Sequence, residues 1–411
     1  MSKIGGIIMW VLLFTPIAVN ASSIVSTNVG EVVVSEHSNP RRAAFSQVII
    51  KMTGDPTSVS NAAVREALRQ SDEYLASYEY LMRNQAQIYR AVFDRQKVQQ
   101  LIKRANLPLW GARRPDGIVW LAVNSSERIG IVSDVSPTEQ AQQIKQSASG
   151  RGINLLLPLM DLEDTMAVGP TDVWGRFMPV IERASSRYRP DFIIAARIGN
   201  TEGLRQRRAI AEAMANRKKT QAPVFVDSAA FAYSVDDVDG FLQRADDINL
   251  QTIQSFEADE FAIVNSDIDR YSVVLDWTIK GEDGIESGQF FGDDDQTVIK
   301  RLIDFYADKL ADLYAISVSQ TKNATYVLNI ANIQSLSSSV SLSRYLADLT
   351  VVQDVRLTQI EGKVAAFNVV LLGELEDLIT TLALDKKLIP IDQDGIQINA
   401  QSPVINLYWD E

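Results

Sequence analysis

Ile118-Val119-Trp120-Leu121-Ala122-Val123 is an apolar run with no polar break. A strand wetted on one face alternates apolar and polar residues. This run does not, so it reads as a strand covered on both faces. Two stretches of the same kind follow, Ile153-Asn154-Leu155-Leu156-Leu157-Pro158-Leu159-Met160 and Phe192-Ile193-Ile194-Ala195-Ala196. Helical patterns fill the gaps, over 137–150 and 171–188. In the second helix Val173, Phe177, Val180 and Ile181 share a stripe, and Pro179 predicts a kink. Alternation of strand and helix predicts right-handed crossovers and a mostly parallel sheet. A hairpin over 271–279 and 287–291 and a long helix over 296–315 complete a central α/β module, 113–320.

The flanks read differently. Upstream, 22–112 predicts a small α+β module. It has a strand within 23–36, then Asn39-Pro40 as cap and first turn of a helix carrying Phe45, Val48, Ile49 and Met52, closed by Gly54. A short helix with Val64 and Leu68 follows. Next come strands over 78–82 and 87–93, and a helix marked by Val98, Leu101 and Ile102. Downstream, 321–391 reads β-α-β-β-α-β, which predicts a ferredoxin-like module. The tail 392–411 has Ile396, Ile398, Val404, Leu407 and Trp409 to dock on that core. The expected class is α/β plus α+β. Residues 201–266 interrupt the central module as an insertion, basic from Arg205 to Lys219 and acidic thereafter.

Residues 1–21, MSKIGGIIMWVLLFTPIAVNA, have one cation, an apolar run, Pro16 and small residues at Val19 and Ala21. That pattern predicts an export signal cleaved after Ala21 and a periplasmic location. The apolar run is shorter than the ~20 residues of a membrane span, so no transmembrane span is expected in the mature chain. Absence of cysteine suits an oxidising compartment.

With no cysteine and the single histidine His37, thiol nucleophiles, Cys/His zinc sites and a Ser-His-Asp triad are excluded. The formal net charge is −12. It divides into 13 basic and 8 acidic residues over 22–115, net +5, and 26 basic and 44 acidic over 116–411, net −18. An acidic bulk argues against nucleic acid as partner. No phosphate loop and no G-x-G-x-x-G motif is present. EF-hand spacing fails as well, because Val235 and Pro390 stand where the first ligand would be needed. No cofactor and no metal is assigned.

Asp161, Glu163 and Asp164 follow the second apolar run, at the strand end where open α/β sheets place ligands. Asp172 opens the next helix. Such carboxylates bind hard cations, act as acid and base, line a carbohydrate or peptide groove, or organise the loop by hydrogen bonds. Within a structural loop, Asp161 is the expected costly residue because it directly follows the strand. Trp110 and Trp174 are candidates for a groove for sugar or peptide, with Arg113 and Arg114 placed to stack on Trp110. Trp120 reads as core.

Leu107-Pro108-Leu109-Trp110-Gly111 with Arg114-Pro115, and Leu157-Pro158-Leu159-Met160-Asp161-Leu162-Glu163-Asp164 with Asp172-Val173-Trp174-Gly175, resemble the bacterial family known as domain of unknown function 2066. So does Lys51-Met52-Thr53-Gly54-Asp55. The resemblance implies an exported gammaproteobacterial envelope protein with no assigned activity. The expected function is a non-catalytic adaptor or assembly factor that contacts an envelope protein or a cell-wall component. The alternatives are a carboxylate-dependent hydrolase on cell-wall material and a small-ligand binding protein.

Overall fold

The computed structural model describes residues 24–83, 85–124, 129–206, 209, 267–282, 284–316, 325–385, 387–391, 396–397 and 404–410. The expected leader 1–21 and nearly all of the insertion 201–266 lie outside the described residues, as does Ile398. Helices and strands mix in three sheets, and the chain divides into two compact units. The first unit combines 1–116, 148–154 and 306–411; the second holds 117–147 and 155–305.

The first unit begins with an antiparallel sheet of β1 (Val29–Val33), β2 (Leu75–Arg83) and β3 (Ala86–Phe93), in the order β1-β3-β2. Helices α1 (Pro40–Thr53), α2 (Ala62–Arg69) and α3 (Arg95–Arg104) supply its core. Local chemistry sets their ends. The Asn39 side chain accepts from the Arg42 amide, and Pro40, which needs no amide partner there, opens α1. Gly54 closes α1 at φ +78°, and a Cβ at that position would lie 2.4 Å from the Cβ of Ala311. Phe45 stacks on Phe93 at 4.8 Å, and Val48, Ile49, Val64, Val98 and Ile102 complete the core.

The second unit is organised by β4 (Asp116–Asn124), buried almost end to end. Around it in chain order are β5 (Ile129–Ile131), α4 (Glu139–Arg151), β6 (Asn154–Leu156), α5 (Leu162–Ala167), α6 (Pro170–Gly175) and α7 (Met178–Ser185). Then follow β7 (Phe192–Asn200), β8 (Val273–Gly281), β9 (Gly284–Gly292) and α8 (Asp295–Tyr314). Helices α4 and α8 each continue in sequence into the first unit. The sheet order is β5-β4-β7-β8-β9, with β6 on β4.

Three expectations need correction here. The sheet is not mostly parallel: β4 and β7 run parallel, whereas β4–β5, β7–β8 and β8–β9 are antiparallel. An unbroken apolar run reports burial on both faces, not strand direction; antiparallel β8 is also buried through its centre. The run 153–160 is a strand only over Asn154–Leu156. Pro158 has no amide to donate, and Met160 takes a left-handed φ of 54°. The helix expected over 171–188 is broken, not kinked. Arg176 adopts φ 55° after α6, and Pro179 stands in the first turn of α7.

The remainder of the first unit has β10 (Thr325–Ala331), α9 (Leu336–Ala347), β11 (Val352–Glu361), β12 (Val364–Leu371), α10 (Leu375–Asp385) and β13 (Leu388–Pro390), then β14 (Ile396–Gln397) and β15 (Val404–Trp409). The β-α-β-β-α-β order is present, but the sheet order is β11-β12-β10-β15-β13. Strand β15, from the tail, lies parallel to β10 and antiparallel to β13, separating the two. Its Ile405, Leu407 and Trp409 are buried with Leu328, Leu342, Phe367 and Leu378. Among the described residues no helix is long and apolar enough to cross a membrane.

Candidate functional site

The segment from Met160 to α5 is built around three carboxylates and one guanidinium. Asp161 caps α5, its Oδ1 accepting from the Asp164 amide at 3.1 Å. Asp164 is the buried member, with 0% exposure. Its Oδ2 accepts from the Met160 amide at 2.9 Å and from the Tyr188 hydroxyl at 2.6 Å. Tyr188 in turn accepts from the Leu159 amide at 2.9 Å. Arg187 reaches all three acids: Asp161 through two bonds of 2.7 and 2.9 Å, Asp164 at 3.1 Å and Glu163 at 3.6 Å.

Electrostatics follow from that geometry. The Arg187 hydrogen bond, helped by the Asp164 amide, holds the Asp161 carboxyl at about 2. The same bond to Asp161 raises Arg187 further above its ordinary value. Desolvation and the bond to Asp164 push the Tyr188 hydroxyl up to about 12. A general acid needs a carboxyl shifted the other way. The sequence reading missed Arg187 and Tyr188, which lie more than twenty residues downstream. A usable signal was present in the Arg187-Tyr188-Arg189 run, which follows α7 and leads back towards β7.

Asp172 serves its own helix, its Oδ2 accepting from the Gly169 amide at 2.8 Å. Trp174 is partly buried and lies under Arg197, whose Cζ is 5.4 Å from the ring centroid. Arg197 also bonds the buried Asp276 at 2.7 Å.

In the first unit Trp110 and Arg114 are stacked but inside. Trp110 is 1% exposed and Arg114 0%. The guanidinium lies 3.2 Å over the ring centroid, and its Nη2 donates to the Lys51 carbonyl at 2.7 Å. Its Nε and Nη1 make no hydrogen bond, and the indole face stands in for one. Burial, with a contribution from Arg151, pushes Arg114 well below the usual guanidinium range. Neither residue lines a groove, which corrects the expectation for both. Arg113 turns away from Trp110, onto the Tyr345 ring at 4.9 Å and the Asp348 carbonyl at 3.3 Å.

Surface character distinguishes the carboxylate loop. Leu162 and Met166 of α5 are four residues apart, hence on one helix face, and are 75% and 80% exposed. Leu159, just before the loop, is exposed too. Elsewhere in the second unit an open hollow of about 360 Å³ is lined by Glu139, Gln140, Asp294, Asp295 and Gln296. Among the described residues no three or more His, Cys, Asp or Glu side chains are arranged to hold a metal.

No curated protein matches the chain. No solved structure matches it either. A family described as Domain of unknown function (DUF8605) matches residues 21–111. This finding overturns the resemblance to domain of unknown function 2066. The motifs that suggested it owe their form to local packing: Leu109 pairs with Ile316, Trp110 is core, and Asp161 and Asp164 tie their loop to Arg187. The similarity to a known family therefore lies in the small α+β region of β1–β3 and α1–α3.

Proposed function

We propose that this protein is an exported, non-catalytic envelope adaptor or assembly factor, which holds a partner protein or cell-wall component through the surface of α5. The observation that carries this reading is the pairing of an exposed apolar helix face, Leu162 and Met166, with a loop fixed beneath it by Arg187 and Asp164. Solvent-exposed apolar residues on a rigid element suit protein contact. The low Asp161 carboxyl and its guanidinium partner disfavour the hydrolase alternative. Within this reading the C-terminal sheet is a ferredoxin-like sandwich widened by the tail strand, and the leader 1–21 directs the chain to the periplasm.

A photo-reactive residue at Met166, expressed in cells, tests the contact. A single defined adduct is expected there, and none from the equally exposed Val135. Equal labelling from both positions, or an adduct from neither, sinks the reading. N-terminal sequencing of the recovered protein should start at Ser22.

A further inference from the structure

Among the described residues strand β2 is an edge strand, with β3 as its neighbour and no strand paired on its other side. One face of this sheet packs on the helices and buries Tyr89, Ala91 and Phe93. On that same face β2 carries Tyr78 opposite Ala91, Tyr80 opposite Tyr89 and Met82 opposite Gln87. These three are 56%, 55% and 71% exposed, so the apolar face runs out past the helices to the open edge. Tyr80 packs edge-on to Tyr89 at 5.3 Å, which fixes the ledge in place.

The other face carries charge in alternation. Glu31 lies opposite Arg90, and Arg90 opposite Glu79. Arg90 bonds Glu31 at 3.1 Å and Glu79 at 2.7 Å. The row therefore reads minus, plus, minus, and ends at the open edge on Glu79, whose side chain is 50% exposed. A strand that continues the sheet must place a cation opposite Glu79 and an apolar side chain opposite Tyr80.

Strand β2 itself has that pattern. Read against its own reverse about Leu81, Glu79 faces Arg83, Tyr80 faces Met82, Leu81 faces itself, and symmetry repeats the first two pairs. Arg83, which bonds Glu31 of its own chain at 3.0 Å, exchanges that partner for Glu79 of the second copy. A two-fold axis normal to the sheet keeps apolar faces together only in registers centred on a residue. Centring on Glu79 sets two carboxylates face to face; centring on Tyr80 sets Glu79 against Leu81. We propose that a second copy of this chain pairs β2 with β2, antiparallel and centred on Leu81, to make one continuous six-stranded sheet. The overlap is short and no proline interrupts it. An edge of this kind pairs readily, and so short an overlap is expected to give a dimer that dissociates on dilution.

Two single variants test the register through charge. Glu79→Arg places cation against cation in its own dimer, and Arg83→Glu places carboxylate against carboxylate. Mixed together, both cross pairs become attractive. Protein purified from cells expressing the full chain is followed by sedimentation across a dilution series. The wild type should dimerise, each variant alone should dimerise at least about tenfold more weakly, and the equimolar mixture should recover the wild-type dimer. A wild type that stays monomeric at every concentration overturns the proposal, including the case where it captures a foreign extended peptide. Variants as dimeric as the wild type, or a mixture that stays monomeric, also overturn it. Because Glu79→Arg loses its bond to Arg90 and Arg83→Glu loses its bond to Glu31 within the same chain, a second readout is independent of both pairs. The chain has no cysteine, so Leu81→Cys puts one thiol on the symmetry axis in each copy. Mild oxidation should link it into a covalent dimer. A dimeric wild type whose Leu81→Cys form fails to link overturns the register.

Discussion

Asp164 and Asp161 differ by three positions in sequence and by their whole environment in space. Asp164 is sealed and accepts from Met160, Tyr188 and Arg187; Asp161 is 44% exposed along its side chain and shares Arg187. The expectation that Asp161 is the costly residue is therefore displaced onto Asp164. Asp164→Asn should lower stability by about 1–3 kcal/mol, because it leaves buried donors poorly matched. Asp161→Asn should act instead through pH. The folded Asp161 carboxyl lies at about 2, below its ordinary value of 3.8, so it takes up its proton later than the unfolded chain does. Its contribution is complete above 3.8 and is lost as pH falls towards about 2. Thermal melts from neutral to strongly acid pH should show a shallower acid limb for Asp161→Asn. A limb as steep as that of the wild type would show that Arg187 does not stabilise the Asp161 carboxylate. The acids themselves were legible in the sequence; the run Arg187-Tyr188-Arg189 was visible too, but its pairing with those acids was not, because α6 and α7 stand between them.

Among the elements, legibility followed the locality of the cause. The cap at Asn39-Pro40 and the stop at Gly54 depend on a few adjacent residues, and each lies where the pattern put it. The broken helix at Arg176 did not show, because a non-glycine residue in a left-handed conformation carries no compositional mark. Strand direction was lost for a related reason: apolar runs encode cover, and direction depends on the connections. The insertion illustrates the difference between a boundary in pattern and one in contacts. Thr201 is 1% exposed, and its amide and hydroxyl bond the carbonyls of Ser272 and Tyr271. Arg205 donates to the carbonyls of Ile268 and Tyr271. The β7–β8 pair is thus laced beyond its last rung. Replacing 210–266 with a short Gly/Ser linker should preserve cooperative unfolding, since longer loops add only ~0.6 kcal/mol per doubling. Starting the replacement at Thr201 should lower the melting temperature distinctly. Equal melting of the two variants would show that those bonds add nothing.

Across the whole molecule, the composition argued against thiol nucleophiles, Cys/His zinc sites and a Ser-His-Asp triad before any geometry was known. It could not foresee the assembly of the first unit from both ends of the chain. Leu109 and Ile316 exchange backbone hydrogen bonds of 2.9 Å, and Arg151 reaches the Gly54 carbonyl at 2.8 Å and Asp308 at 2.5 Å. No periodicity in a linear sequence reports such pairings. The position of β15 is the largest of these surprises. Removing 404–411 should expose Leu328 and Leu388 and abolish the cooperative transition of the C-terminal sheet, read by near-ultraviolet dichroism of the aromatic core. A truncated chain with an unaltered transition would mean that β10 and β13 close on each other without β15.

That strand also sets an order of events. Ribosomes deliver a chain from its amino end, and domains commonly fold as they emerge. Here β10, α9, β11, β12, α10 and β13 are all made before the one strand that joins β10 to β13. The open edges of β10 and β13 must wait for it, and with them the burial of Trp409 against Tyr345. Closure of the sheet thus waits on the strand made last of those described: a polypeptide stopped short of Val404 retains two bare strand edges, which quality-control proteases and chaperones can recognise.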